Sequence, residues 1–181
     1  MIETELKFPV ENPDRILQEL ENLGAEKVSE GLEHNEVFDN GELRKKGILL
    51  RLRKFGGRNI LTLKKGISKD EFKEAEEIET EISSFEKARE ILRKLGYEVS
   101  WVYEKKRKVY ILGNAKISLD ILPFASFIEI EGSREEIRKV AEKLNLDIKK
   151  GITRTYREIY EDFCKKEGRE TENLVFWRKS T

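Results

Sequence analysis

Charge falls on one side of almost every strand-like segment of this chain, and no other feature constrains its fold as much. Strand side chains alternate between faces, so residues i and i+2 stand together, about 6.6–6.8 Å apart. Glu3, Glu5 and Lys7 share a face against Ile2, Leu6 and Phe8. Arg51 and Arg53 oppose Leu50 and Leu52, and Thr62 and Lys64 oppose Leu61 and Leu63. Glu77, Glu79 and Glu81 oppose Ile78 and Ile82. Lys105 and Arg107 line up with Tyr103, while Lys116, Ser118 and Asp120 oppose Ile117, Leu119 and Ile121. Glu129 and Glu131 oppose Ile128 and Ile130. A merely solvated face tolerates Ser, Thr, Asn and Gln; these faces instead set like charges side by side, where they repel. Carboxylate pairs call for a divalent cation, and hard oxygen ligands favour Mg²⁺, Mn²⁺ or Ca²⁺ over zinc. Arg and Lys pairs call for a polyanion, and the Arg fork fits phosphate oxygens two at a time. A metal with a polyphosphate satisfies both sets.

The order of elements predicts the fold class. Strands are expected at Ile2–Val10, more weakly at Lys27–Phe38, then at Ile48–Lys54, Ile60–Lys65, Glu77–Ile82, Trp101–Leu112, Lys116–Leu122 and Phe127–Glu131. Asn12 caps a first helix with Pro13 at its first position, and Gly24 stops it. Ser83 with Glu86, and Ser133 with Glu136, read as capping boxes of two more helices; Thr155–Cys164 reads as a short fourth. Strands run in groups joined by hairpin-like turns, so the fold is α+β with a mostly antiparallel sheet. The chain of 181 residues reads as one domain over residues 1–161 with an appendage over 162–181, whose Leu174, Val175, Phe176 and Trp177 would dock into a groove.

Composition removes several functions. Acidic and basic residues, 36 of each, cancel, which argues against coating nucleic acid by bulk charge. Cys164 is the one cysteine and His34 the one histidine, excluding a Cys/His zinc site, a Cys–His nucleophile pair and most Ser–His–Asp arrangements. No window reaches the roughly 18 apolar residues of a membrane span, and the N-terminus lacks signal-peptide order; a cytoplasmic protein without membrane partners is expected, and a homodimer is compatible with this reading. High Lys, Glu and Arg with few Met, Cys and Pro lean toward a thermophile. Several other residues read as structural: His34 as a solvated loop residue, Cys164 as a buried spectator, Trp101 and Phe127 as core, and Lys45, Lys46, Lys149 and Lys150 as solvated. Tyr156 divides evenly between helix packing and a contact at a tunnel mouth.

Closing such a sheet into a barrel turns its polar face into a lumen, and about eight strands enclose room for side chains or one small ligand. Seven carboxylates there, Glu3, Glu5, Glu79, Glu81, Asp120, Glu129 and Glu131, are costly unless the charges pair or bind ions.

The ordered motifs resemble a known family. Glu3-Thr4-Glu5-Leu6-Lys7 fits the ExExK signature of the CYTH superfamily, the triphosphate tunnel metalloenzymes. LRLRK at 50–54, TLKKG at 62–66, ETE at 79–81, EKKRKVY at 104–110, ISLDIL at 117–122, IEIE at 128–131 and TYREIY at 155–160 follow in the family's order. The resemblance implies an eight-stranded antiparallel tunnel with flanking helices, holding a triphosphate and Mg²⁺ or Mn²⁺. It further implies that Lys7, Arg51, Arg53, Lys64, Lys105 and Arg107 grip phosphates. Glu3, Glu5, Glu79, Glu81, Asp120, Glu129 and Glu131 would hold metal directly or through water, with Glu5, Glu129 and Lys7 closest to the chemistry. Glu77 departs from the pattern, since many members have Arg there, and Glu36-Val37-Phe38-Asp39 is looser than the usual Tyr-Phe-Asp.

Within the family, EKKRKVY, TYREIY and the short chain are most similar to class IV adenylyl cyclases, which would make cyclic AMP and pyrophosphate from ATP. The alternative is a triphosphatase acting on inorganic or thiamine triphosphate. A non-catalytic binder of polyphosphate or nucleotide fits less well, because a pure anion binder gains by losing these acids. With no imidazole expected in the site, a lumen carboxylate or a metal-activated water would serve as base.

Overall fold

The computed structural model describes residues 2–176. Eight strands are present: β1 (Ile2–Pro9), β2 (Glu26–Asp39), β3 (Ile48–Phe55), β4 (Arg58–Lys69), β5 (Lys73–Ile82), β6 (Glu98–Leu112), β7 (Ala115–Ile121) and β8 (Ser126–Glu131). Four helices accompany them: α1 (Pro13–Asn22), α2 (Phe85–Lys94), α3 (Arg134–Lys143) and α4 (Tyr156–Lys166). The strands close into a barrel in the order β1-β5-β4-β3-β2-β6-β7-β8, every neighbouring pair antiparallel. The α+β barrel with flanking helices expected from the alternating charge is therefore the fold.

The apolar strand faces point outward, and helices cover those of β1, β3, β7 and β8, while Leu63 of β4 and Ile78 of β5 stay exposed. Leu6, Phe8, Ile117, Leu119, Ile128 and Ile130 pack against Ile16 and Leu20 of α1, Ile137, Val140 and Ala141 of α3, and Leu144 just beyond it. On the opposite wall Phe38, Leu50 and Leu52 pack against Phe85 and Leu92 of α2. The third cluster lies where β7 ends and leaves an edge of β6 open. There Trp101, Leu122 and Phe127 meet Tyr156 and Leu174. The chain end fills that edge: the Leu174 N–H donates to Val102 O at 2.9 Å and the Glu104 N–H donates to Leu174 O at 2.8 Å. An unpaired edge invites pairing with other chains, and this segment removes that opportunity. Leu174 thus docks as expected, while Trp177 lies outside the described residues. Helix α4 runs through residue 161, the boundary expected between domain and appendage.

Local rules account for most ends. Gly56 and Gly57, at φ +58° and +78°, supply the two left-handed residues of the β3–β4 hairpin turn. Asn12 caps α1, accepting from the Arg15 N–H at 3.1 Å, and Ser133 with Glu136 forms the capping box of α3. Three expectations need correction. Ser84, not Ser83, caps α2, accepting from the Lys87 N–H; it sits one residue nearer the apolar stripe that starts at Phe85. Strand β2 is long rather than weak, because it pairs along its length with β6. His34 is consequently on a strand, not in a loop. Its Nδ1 lies 3.1 Å from Glu104 Oε1 and its Nε2 3.6 Å from Glu36 Oε1.

Candidate active site

The barrel lumen holds a cavity of about 370 Å³. Its waist is built on Glu5 and Lys7, which β1 places on one face two residues apart. The Lys7 ammonium donates to Glu5 Oε1 at 2.6 Å and lies 2.8 Å from Glu129 Oε2, contributed by the paired strand β8. Glu5 Oε1 also accepts from Lys73 at 2.5 Å, and Glu5 Oε2 lies 3.5 Å from Lys64. Lys64 in turn bonds Glu3 and sits 3.2 Å from Glu77. Burial alone would push the Glu5 carboxyl up; the Glu129 charge adds to that, yet Lys7, Lys73 and Lys64 together hold it well below the carboxylate range. Burial likewise opposes the Lys7 charge, but Glu129 and Glu5 raise it.

A second knot surrounds Asp120, which is fully buried. Its Oδ1 accepts from Arg107 Nε at 2.6 Å. Its Oδ2 accepts from Arg107 Nη2 at 2.5 Å, Lys105 at 3.0 Å and the Tyr156 hydroxyl at 2.7 Å. Arg107 also reaches Glu129 Oε1 at 3.2 Å, so the two knots touch. Tyr156, the first residue of α4, puts its ring 5.3 Å from the Lys7 ammonium and 5.0 Å from that of Lys105. Of its two readings, contact with the tunnel is met as fully as helix packing. Arg51 is held by the Tyr103 hydroxyl, which accepts from Nη1 at 3.0 Å, and Thr62 donates to Glu79 Oε2 at 3.0 Å. Arg53 lies 3.8 Å from both Glu33 and Glu79.

The structure therefore brings twelve of the thirteen expected site residues into the lumen or its wall. Glu81 stands apart at the rim, with its side chain 59% exposed and 3.9 Å from Arg58. Glu131 is nearer the opening than the waist, paired with Lys116 at 2.7 Å. Three groups escaped sequence reasoning: Glu33, Asn35 and Lys73. Glu33, wholly buried, lies 3.4 Å from Lys105 and 3.7 Å from Arg107, and accepts from Asn35 Nδ2 at 3.0 Å. Lys73 belongs to a stretch read as loop, because β5 starts four residues earlier than expected. The alternation Glu33, Asn35, Val37 was the available signal for β2, masked because His34 and Glu36 make the other face polar too.

Among the described residues no three carboxylate or imidazole groups converge as a ready metal cage. The donor chemistry nevertheless fits a hard divalent cation. Glu3 and Glu131 are pushed above the usual carboxylate range, first by burial; Glu5 and Glu77 add to this at Glu3, and Glu3 and Glu129 at Glu131. Lys64 offsets part of this at Glu3 and Lys116 at Glu131, and a cation on Glu3, Glu5, Glu129 or Glu131 would offset more.

The model of the CYTH domain matches residues 1–156. The chain belongs to the CYTH domain family. A relative from Methanocaldococcus jannaschii, named "putative adenylate cyclase", is 28% identical over 174 residues, covering 88% of this chain and 98% of the relative. A solved structure of the same name from Vibrio parahaemolyticus is 27% identical with a TM-score of 0.79, covering 88% of this chain and 97% of that one. An adenylyl cyclase homologue from Hippeastrum, described as having a dominant triphosphatase activity, shares the fold at 18% identity and a TM-score of 0.62, with 94% and 97% of the two chains covered. No helix in the described residues of this CYTH chain is long and apolar enough to cross a membrane.

Proposed function

We propose that the chain is a divalent-metal-dependent enzyme acting on a nucleoside triphosphate, forming cyclic AMP and pyrophosphate from ATP. One observation carries the choice of an organic triphosphate: besides its charged groups, the cavity is lined by Val37, Leu49, Trp101, Gly47 and Gly66. Val37, Leu49 and Trp101 give a base apolar groups to pack on, and a bare triphosphate has no use for them. The two relatives named for adenylate cyclase agree with this reading. In it Lys7, Arg51, Arg53, Lys64, Lys105 and Arg107 bind the phosphates, and Arg and Lys charge offsets the charge that builds on the departing pyrophosphate. Glu3, Glu5, Glu129 and Glu131 hold Mg²⁺ or Mn²⁺, which supplies charge neutralisation at the phosphates. Lys7, kept an ammonium by its two carboxylates, positions a phosphoryl oxygen. Asp120 orients Lys105 and Arg107, since its two oxygens are taken up by four donors. The 3′-oxygen attacks the α-phosphorus, the bond from that phosphorus to the bridging oxygen breaks, and the hydroxyl proton passes to a lumen carboxylate.

The triphosphatase reading stands second, favoured by the mouth beside α4. Arg44 bonds both carboxylate oxygens of Glu161 at 2.8 Å, and Lys69 bonds Glu158 at 2.6 Å, so this mouth is strapped while the phosphate waist is complete on its own. Incubation with ATP, inorganic triphosphate and thiamine triphosphate, each with Mg²⁺ or Mn²⁺, distinguishes the two by phosphorus NMR. Cyclic AMP with pyrophosphate from ATP is the expected result. Orthophosphate from inorganic triphosphate, with no cyclic AMP under any metal, overturns the cyclase choice.

A further inference from the structure

Three lysines converge on Glu5, and they are not equivalent. Lys7 is shared with Glu129, and Lys64 is shared with Glu3 and Glu77. Lys73 has one carboxylate, Glu5, at 2.5 Å among the ion pairs of the described residues. Backbone register fixes this contact: Glu5 and Lys73 are direct cross-strand partners of β1 and β5, and both side chains face the cavity. Lys73 is thus the cation of this knot that is least well compensated and is released at the lowest cost. Its ammonium lies against the oxygen that the metal reading needs.

We propose that Lys73 occupies, in the metal-free protein, the place at Glu5 that a divalent cation takes in the substrate complex, and that it transfers to a phosphate oxygen as the metal arrives. The proposal rests on the metal–triphosphate reading above and deepens it. A lone divalent cation must expel an ammonium into a lumen already crowded with Lys7, Lys64 and Arg107, where Glu3 and Glu77 are already paired with Lys64 and Glu129 with Lys7. A triphosphate provides an acceptor. Metal and triphosphate therefore bind with positive coupling, and by reciprocity each raises the affinity for the other by the same factor. The metal is kept off the enzyme until substrate is present, and the resting lumen stays charge-balanced.

The test is Mn²⁺ binding, followed by electron paramagnetic resonance, with and without the bis-methylene analogue of inorganic triphosphate. The signal is corrected for Mn²⁺ that the analogue holds in protein-free buffer. Wild type is compared with Lys73→Met, Lys73→Gln and Lys73→Arg, each first checked for a cooperative thermal transition. Removing a unit charge within a few ångströms of the site should tighten Mn²⁺ binding without the analogue by about tenfold or more in K73M and K73Q. The enhancement by the analogue should shrink in both, and K73R should behave as wild type. Equal Mn²⁺ affinity, within about twofold, in wild type, K73M and K73Q without the analogue overturns the role of Lys73 while leaving the metal site standing. Absence of Mn²⁺ binding in every variant, with the analogue present, overturns the metal reading and this inference with it.

Discussion

Replacing Asp120 with Asn tests whether the buried cations Lys105 and Arg107 are held by one carboxylate. The side chain keeps its shape and loses its charge. Asp120 is fully buried and accepts from Arg107 twice, from Lys105 and from Tyr156. Breaking a buried pair by removing one partner costs about 3–5 kcal/mol, because it leaves a charge uncompensated. Glu33 remains 3.4 Å from Lys105 and 3.7 Å from Arg107, which places the loss near the low end, at about 3 kcal/mol. For a chain of this size each kcal/mol moves the melting temperature by about 2–4 °C, so D120N should melt about 6–12 °C below wild type. Circular dichroism at neutral pH is the assay, with coincident near- and far-ultraviolet transitions as the check for two-state unfolding. The bis-methylene triphosphate analogue should recover more melting temperature in D120N than in wild type, since it returns negative charge to the same cations. Tyr156→Phe, losing a single hydrogen bond to Asp120, should cost about 1 kcal/mol, or 2–4 °C. A D120N melting temperature within 2 °C of wild type would show that Glu33 suffices and that Asp120 does not anchor the pair.

Arg53→Ala should weaken triphosphate-analogue binding at least about tenfold by calorimetry, while Lys46→Ala changes it less than about twofold. Arg53 is 14% exposed in the lumen, and Lys46 is 63% exposed and screened by solvent. The Glu158 carboxyl, raised by burial but pulled lower by Lys69 and by the Thr155 backbone and hydroxyl, is held at about 2 against an ordinary 4.5. A depressed carboxyl contributes stability above its unfolded value and loses it as pH falls through the folded one, so the strap at α4 should loosen between about pH 4.5 and 2. Pepsin cleavage within 156–166 should rise over that interval in wild type and start high in Glu158→Gln; identical profiles would remove Glu158 from the strap. Gly151→Ala should destabilise by about 1–3 kcal/mol in urea unfolding, because a Cβ there meets Leu6 Cδ2 at 2.5 Å in a closed core; an unchanged midpoint would mean that Leu6 yields freely.

What the sequence disclosed depended on whether one face of a strand was apolar. In β1, β3, β7 and β8 the outer faces carry Leu, Ile and Phe against helices, so alternation was visible and the lumen residues followed from it. In β2 both faces are polar around Glu33–Glu36, since His34 and Glu36 bind Glu104 and Arg89 outside the barrel. Periodicity cannot appear where both faces are charged, and Glu33 and Asn35 were lost with it. At Lys73 a turn-rich stretch hid the start of β5, which only pairing with β1 extends so far. The capping error at α2 has the same origin: Ser83 and Ser84 are both competent caps, and packing of Phe85 selects between them.

The charge arrangement explains why a lumen so rich in ions folds at all. Glu5 with Lys73, Glu129 with Lys7, Asp120 with Arg107 and Glu131 with Lys116 each place an acid against a base on neighbouring strands, and Glu3 meets Lys64 from two strands away. Antiparallel register is what delivers those partners, as in the direct pairs Glu5–Lys73, Lys7–Glu129, Arg107–Asp120 and Lys116–Glu131. A buried pair contributes little net stability, because desolvation offsets the attraction. Its value here is that the same side chains can exchange partners. On the proposed reading a triphosphate takes the bases and a divalent cation takes the acids, and neither exchange is favourable without the other, because each alone strands one set of buried charges. Binding of both substrate components together is therefore a property of the paired lumen, and a variant that removes both members of one pair, such as Lys116→Met with Glu131→Met, should fold at least as well as wild type yet bind the Mn²⁺ complex of the triphosphate analogue more weakly in calorimetry. Full binding by that double variant would confine the exchange to the waist around Glu5, Lys7 and Asp120.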